Sequence, residues 1–393
     1  MDQTLDLKEQ RKQNFVDAIS FKEPKKVPVG AEVIMWPLTY RGGTYLDVID
    51  DPDRTVEEYI AFLDDVPLDY IAMSPGISHS VRMHETLGSK SYVIARDGTT
   101  LQHAQGELSF IAAEEYPKII DDLENFASDE WVKRNFPALN VDSPDEAYES
   151  LKKAASIFKV FTNTNRRITN NIFEERGILN LTDSTSVRFG SNLNTLFDHL
   201  RGIPATLSDL RRRPELVDAA CAAIKATKSF PYDVKDYIGK PHPLGSATYH
   251  SECFLSPPLF DKYFFNDFRD ACMPFMEAGV KFWIKGEGQF LNTLDRYRQL
   301  PQGSVVFMLD EDDPFEVHKQ IGDWCSIGAG ITADLLRMGS IEKCKDYVKK
   351  CFDTFAPGGG FIFLQNKPLL CGGDATPEVI RAVYELADEL SRK

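Results

Sequence analysis

The chain has 393 residues, 42% of them hydrophobic, with 45 Lys and Arg against 60 Asp and Glu for a formal net charge of −15. Length and apolar content together suffice to bury a large core, and one barrel with insertions accounts for them as well as several average domains would. So acidic a chain, whose densest basic cluster is Arg211-Arg212-Arg213, repels a polyphosphate, which argues against a nucleic-acid partner; its seven scattered cysteines lack any CxxC pair and read as reduced thiols.

The amino terminus is charged and has no apolar leader core, and no window approaches the roughly 18 uncharged apolar residues of a membrane span. The expected location is the cytoplasm. Residues 8–20 predict a helix with Phe15, Val16 and Ile19 on one side, and 27–36 a buried strand that runs into Trp36-Pro37-Leu38-Thr39-Tyr40-Arg41-Gly42-Gly43. An amphipathic helix at 53–66 and a short strand at 69–74 complete a first βα unit. From about residue 90 the period changes to alternation, with strands at 92–95, 100–103 and 108–113 and a turn at Arg96-Asp97-Gly98. Residues 118–135 and 143–158 are charged and helical. The stretch from about 90 to 160 therefore reads as an inserted β-hairpin with helices, covering one mouth of a single domain that spans 1–393.

Further on, 178–181 and 247–250 are short strands, with helices at 192–199 and 214–229 between them. Ser256-Pro257-Pro258 and Thr376-Pro377-Glu378 start helices by one device, a hydroxyl cap followed by proline in the first turn. The last third carries the strongest rhythm. Apolar runs at 280–284, 304–309, 326–331 and 360–364 hand over to Lys285-Gly286-Glu287-Gly288, Asp310-Glu311-Asp312-Asp313, Thr332-Ala333-Asp334 and Gln365-Asn366-Lys367. Two strands at the start, two in the centre and four at the end make eight, the number that an α/β (β/α)8 TIM barrel closes with.

Barrel enzymes hold their reacting groups where strands hand over to loops, which singles out Glu287, Asp310 and His250 as catalytic candidates. Lys285 alternates with Glu287 and is its natural ion-pair partner, while the later acids of the 310–313 run cap a helix at 314–323. Trp36, Tyr40, Tyr249 and Trp283 form either an aromatic wall for a flat substrate or ordinary core. Gly358-Gly359-Gly360 precedes a strand rather than opening a helix, so it reads as a helix C-cap and not a phosphate loop.

Leu200-Arg201-Gly202-Ile203 before a helix, Phe254-Leu255-Ser256-Pro257-Pro258-Leu259-Phe260 opening another, and Gly358-Gly359-Gly360-Phe361-Ile362-Phe363 leading to Thr376-Pro377-Glu378-Val379-Ile380-Arg381-Ala382-Val383 together resemble the uroporphyrinogen decarboxylase superfamily over nearly the whole chain. That resemblance implies either porphyrinogen decarboxylation or corrinoid-dependent methyl transfer. The decarboxylases carry an Arg-Gln-Ala-Gly-Arg segment after the first strand. Here residues 36–43 offer one arginine, Arg41, where a substrate with several carboxylates needs several guanidinium forks.

The chain is more similar to the methyltransferase branch, and to its O-demethylase methyltransferase I members, whose Glu-Gly on the fifth strand is matched by Glu287-Gly288. On this resemblance the substrate is a small methylated molecule, an aryl methyl ether among the options, and the cobalamin is supplied by a separate corrinoid protein. Zinc at the barrel mouth would polarise the leaving oxygen. Met308 stands where these members carry a zinc-ligand His, and a thioether is a poor zinc ligand. The donors left are Glu287, His250 and Cys371, with Cys253 nearby. Met308, Lys285 and Arg41 join the aromatic residues as expected substrate contacts, and a homodimer is the expected assembly. A decarboxylase and a catalytically silent ligand-binding barrel are the alternative readings.

Overall fold

The computed structural model describes residues 2–73, 80–103, 108–181, 185–240 and 244–392. Eleven strands occur among them: β1 (Gly30–Glu32), β2 (Tyr70–Met73), β3 (Tyr92–Ile94), β4 (Leu101–His103), β5 (Leu179–Asn180), β6 (Thr185–Phe189), β7 (Leu244–Tyr249), β8 (Lys281–Gly286), β9 (Val305–Met308), β10 (Ser326–Ala329) and β11 (Phe361–Phe363). Helices separate most of them, giving a mixed α/β protein. One parallel sheet has the order β1-β2-β5 and the other β11-β10-β9-β8-β7-β6. Isolated parallel bridges, Val29 to Phe363 and Val33 to Leu369, tie the β1 region to β11. Residues 181–184 join the far edges, β5 and β6, in sequence; the end of the strand expected at 69–74 and residues 182–184 lie outside the described set.

Alternation along the strands sorts side chains between two apolar clusters. The smaller joins Tyr70 and Ala72 of β2, Leu179, Leu244, Val306, Met308, Ile362 and Leu364, and Phe15, Ala18 and Ile19 of the first helix close it from below. The opposite face, with Ile71, Val187, Ala247, Ile284, Phe307, Ile327 and Phe363, packs under the helices. Glycines let bulky neighbours fill the smaller cluster. A Cβ on Gly30 would lie 2.2 Å from the Tyr70 ring, and one on Gly328 2.5 Å from the Met308 sulfur.

The helices that cover the outer face are specified locally. In Ile341–Phe355, Ser340 accepts a hydrogen bond from the Lys343 amide, and Cys344, Val348, Cys351, Phe352 and Phe355 recur at helical spacing on the buried side. Burying each large side chain contributes roughly 2 kcal/mol. The chain then turns through Gly358, Gly359 and Gly360, all with φ near +80°, as the C-cap reading requires. Thr376 caps Pro377–Leu390 through the Val379 amide. Ser256 occupies the corresponding position before Pro257–Phe260, but its hydroxyl makes no capping bond.

The inserted region departs from expectation in detail. The antiparallel β3–β4 hairpin forms, but 108–113 is not a strand, because the Phe110 and Ile111 amides both donate to the Leu200 carbonyl rather than to a neighbouring strand. The helix expected at 118–135 is broken into short pieces by Asp122, which leaves helical geometry and caps the next segment. The one expected at 143–158 runs longer, Pro144–Arg166. Among the described residues no helix is long and apolar enough to cross a membrane, and all seven cysteines are free.

Candidate active site at the strand ends

β7, β8 and β9 are adjacent and parallel, with Tyr249 in register with Gly286 and Lys285 with Met308. The residues that follow them therefore emerge side by side at one edge: His250 after β7, Glu287 after β8, Asp310 after β9. Period two puts Trp283, Lys285 and Glu287 on one side of β8 and Met308 and Asp310 on the matching side of β9, the side of the smaller apolar cluster.

His250 is the best-anchored of these groups. Its Nδ1 lies 2.5 Å from Asp198 Oδ1, and its Nε2 lies 3.8 Å from Glu287 Oε2. The Asp198 hydrogen bond is the main cause of a His250 pKa above the ordinary imidazole value, with the Asp198 and Glu287 charges adding to it and burial opposing it. The backbone is held as well. Glu252, almost fully buried, accepts from the His250 amide at 2.9 Å, and Asn194 Oδ1 accepts from the Ser251 amide and hydroxyl.

Glu287 sits in a turn whose shape Gly288 permits. Gly288 has φ +90°, and a Cβ there would lie 2.6 Å from Cys253 Cβ. Asp310 Oδ2 accepts from the Gly288 amide at 2.7 Å, and Asp312 Oδ2 from the Phe290 amide. Two acids of the 310–313 run thus stitch down the loop that presents Glu287, and Asp313 alone caps the next helix, Pro314–Ile321. Desolvation by the surrounding protein raises the Glu287 and Asp310 pKa values, His250 and Lys285 opposing it at Glu287. A cavity of about 380 Å³ opens here, lined by His250, Cys253, Phe254, Glu287, Gly288 and Glu311 among others.

Beneath the site lies a buried polar floor. Lys285 pairs with Glu32 rather than with Glu287, and both side chains are nearly inaccessible, at 6% and 1% exposure. Gln365 donates to the Glu32 carbonyl and accepts from the Tyr384 hydroxyl.

Other expected contacts are turned elsewhere. Trp36 donates to the Ala375 carbonyl and packs edge-on against Tyr40 and Phe62, the Tyr40 hydroxyl donates to Asp65, and Arg41 pairs with Glu58. These three belong to the packing against helix Pro52–Asp65. Tyr249 faces outward into Phe260, Phe264, Phe290 and Phe307. Of the four aromatic residues only Trp283 lies on the inner face, beside Met308. Cys371 sits in a turn closed by Asp374, its thiol toward the Leu101 carbonyl of the hairpin, and is not brought to His250 and Glu287.

This bears on zinc. The His250–Asp198 contact is the orientation seen in metal-binding histidines, but a catalytic zinc needs about three protein ligands. Among the described residues no group of three or more His, Cys, Asp or Glu is arranged to hold a metal ion. Cys253 lines the cavity, yet burial pushes its thiol up to about 12, away from the thiolate that zinc requires. The described donors do not fit zinc.

The sequence reading did not single out Asp198, Glu252, Asn194 or Glu32. Glu32 did leave a signal, an acid inside the apolar strand at 27–36. Asp198 left none, since it lies on a helical segment 52 residues from the imidazole it holds.

No protein-family model matches this chain, and no curated protein matches it. Among solved structures it is similar to a methyltransferase from Methanosarcina mazei, at 13% identity with a TM-score of 0.55, over 96% of this chain and 98% of the other. At that identity the likeness is one of fold.

Proposed function

We propose that the chain is a cytoplasmic methyltransferase in which residues 1–393 form a single (β/α)8 barrel, and that it moves a methyl group from a small methylated substrate to a corrinoid protein. The observation that carries the reading is the His250–Asp198 pair facing Glu287 across an open cavity at the C-terminal ends of adjacent parallel strands. The fold likeness to a methyltransferase supports it. Arg41 is paired with Glu58 on the helix side, and the cavity walls carry Glu287 and Glu311, an arrangement that disfavours a polycarboxylate substrate.

When a donor's bond to its methyl group breaks, the electron pair stays on the leaving heteroatom, which needs a proton. His250 meets that need: its raised pKa keeps more of it protonated near neutrality, and Asp198 orients the ring and stabilises the cation. The 3.8 Å between Nε2 and Glu287 is too long for a direct hydrogen bond, so both groups keep capacity for the donor's heteroatom. Glu287 binds and orients the donor, and Asp310 positions Glu287 through the Gly288 amide. A reduced corrinoid on the partner protein would supply the nucleophile, and Phe254, exposed at the rim of the cavity, would be part of the surface that receives that partner.

The test is methyl transfer to cob(I)alamin from a panel of methylated ethers, amines and thioethers. At least one donor should react, and Glu287→Ala should abolish the reaction while circular dichroism stays unchanged. Near-normal turnover in that variant removes the site assignment. Silence across the panel favours the ligand-binding alternative, and porphyrinogen turnover the decarboxylase.

A further inference from the structure

Beside the cavity at His250 lies a second one, of about 570 Å³, opening where β9, β10 and β11 hand over to their loops. The two share Gln289 and Glu311 on their walls. Asp310 links them as well, because it lines the second cavity while its Oδ2 accepts from the amide of Gly288, the neighbour of Glu287. A donor that extends beyond its methyl-bearing end has this second cavity to occupy.

The second cavity is negatively charged, with five carboxylates on its walls against two lysines. Lys367 answers Glu311 at 2.9 Å and, more weakly, Asp310 at 3.6 Å, and the Lys350 ammonium rests over the Phe315 ring. Asp312 is only 6% exposed and has no ion pair among the described residues. Its Oδ2 accepts from the Phe290 amide, and Oδ1 of Asp310 and of Asp312 makes no hydrogen bond. A carboxylate withdrawn from water without a cation is costly, and a positive group arriving from the cavity would relieve that cost. That group is organic rather than metallic, since no three or more His, Cys, Asp or Glu among the described residues are arranged to hold a metal ion.

His250 fixes the direction in which such a donor lies. The imidazolium that gives up its proton there repels a second positive charge, whereas the acids past Glu311 attract it. Nor can the charge sit on the reacting atom itself: a quaternary nitrogen that loses a methyl group becomes a neutral amine, takes no proton and leaves His250 without a task.

Resting on the methyltransferase reading above, we infer that the donor is a methyl ether or thioether carrying a remote ammonium group, its oxygen or sulfur between His250 and Glu287 and its ammonium beside Asp310 and Asp312. The bond from methyl carbon to oxygen or sulfur breaks, and the new bond to the methyl carbon takes both its electrons from the reduced corrinoid. The oxygen or sulfur keeps the pair of the broken bond and receives the His250 proton. The ammonium group is unchanged throughout.

Isothermal titration calorimetry without corrinoid, on methoxyalkylammonium ions of increasing chain length, should find at least one that binds about tenfold tighter than the methyl alkyl ether of the same length. Asp312→Asn should erase most of that preference and leave the affinity for the neutral ether unchanged. Because Asp312 also steadies the loop at Phe290, salt supplies a second measure that needs no variant: raising the ionic strength should weaken binding of the cation and not of the ether. Equal binding of cation and ether at low salt, tighter binding of a methoxyalkanoate anion, or a preference that survives both Asp312→Asn and high salt would overturn the inference. Its failure is separable from that of the reading beneath it. Cation-selective binding without methyl transfer to cob(I)alamin would remove the methyltransferase and keep the cation site, and transfer from neutral ethers alone would do the opposite.

Discussion

Replacing Asp198 by Asn removes the charge that holds His250 while nearly preserving its shape. The contact is a 2.5 Å charge-assisted hydrogen bond between side chains that are 30% and 20% exposed. Hydrogen bonds to charged groups contribute about 1.5–3 kcal/mol, and partial exposure places this one at the low end, so methyl transfer near neutral pH should fall roughly tenfold. The pH dependence has a definite sign. Asp198 raises the His250 pKa, so the acid form persists to higher pH in the native protein, and the alkaline limb of kcat/KM should lie above the ordinary imidazole value.

In Asp198→Asn that limb should move toward acid, and the rate gap should narrow as the pH is lowered. Stability follows the same linkage. Because folding raises this pKa, the contact stabilises the native state below the ordinary imidazole range, and the contribution is lost as pH rises through the raised folded value. The Tm difference between native and variant proteins should therefore shrink as pH rises. An unchanged alkaline limb, or a Tm gap that grows with pH, would refute the assignment of His250 as the acid.

Lys285→Met should lower unfolding free energy by about 3–5 kcal/mol in urea titrations, because it strands the Glu32 carboxylate at 1% exposure, and pairing it with Glu32→Gln should recover much of the loss. Tyr249→Phe should leave both stability and turnover nearly unchanged, since the hydroxyl is buried without a partner and the ring faces the helices; a large rise in KM would return this residue to the substrate. Dialysis against a chelator should leave methyl transfer intact, because the described donors do not complete a zinc site. Stoichiometric zinc whose removal stops the reaction would show that the ligand set is larger.

What the sequence alone determined was local. The four C-terminal apolar runs became β8, β9, β10 and β11, the helix expected at 314–323 formed over Pro314–Ile321, and Pro377–Leu390 became a helix, because hydrophobic period, hydroxyl and carboxylate caps and prolines act over a few residues. Parity along a strand also tied Trp283, Lys285 and Glu287 to one face. What parity cannot supply is which face looks inward. Tyr249 and His250 are neighbours in sequence, yet one packs under helices and the other lines the cavity, and only the pairing of β7 with β8 decided between them. The partners were beyond reach for the same reason. Asp198 beneath His250, Glu32 beneath Lys285 and Cys371 apart from both are set by contacts spanning tens to hundreds of residues, and a contact of that range leaves no periodic trace in the chain that makes it.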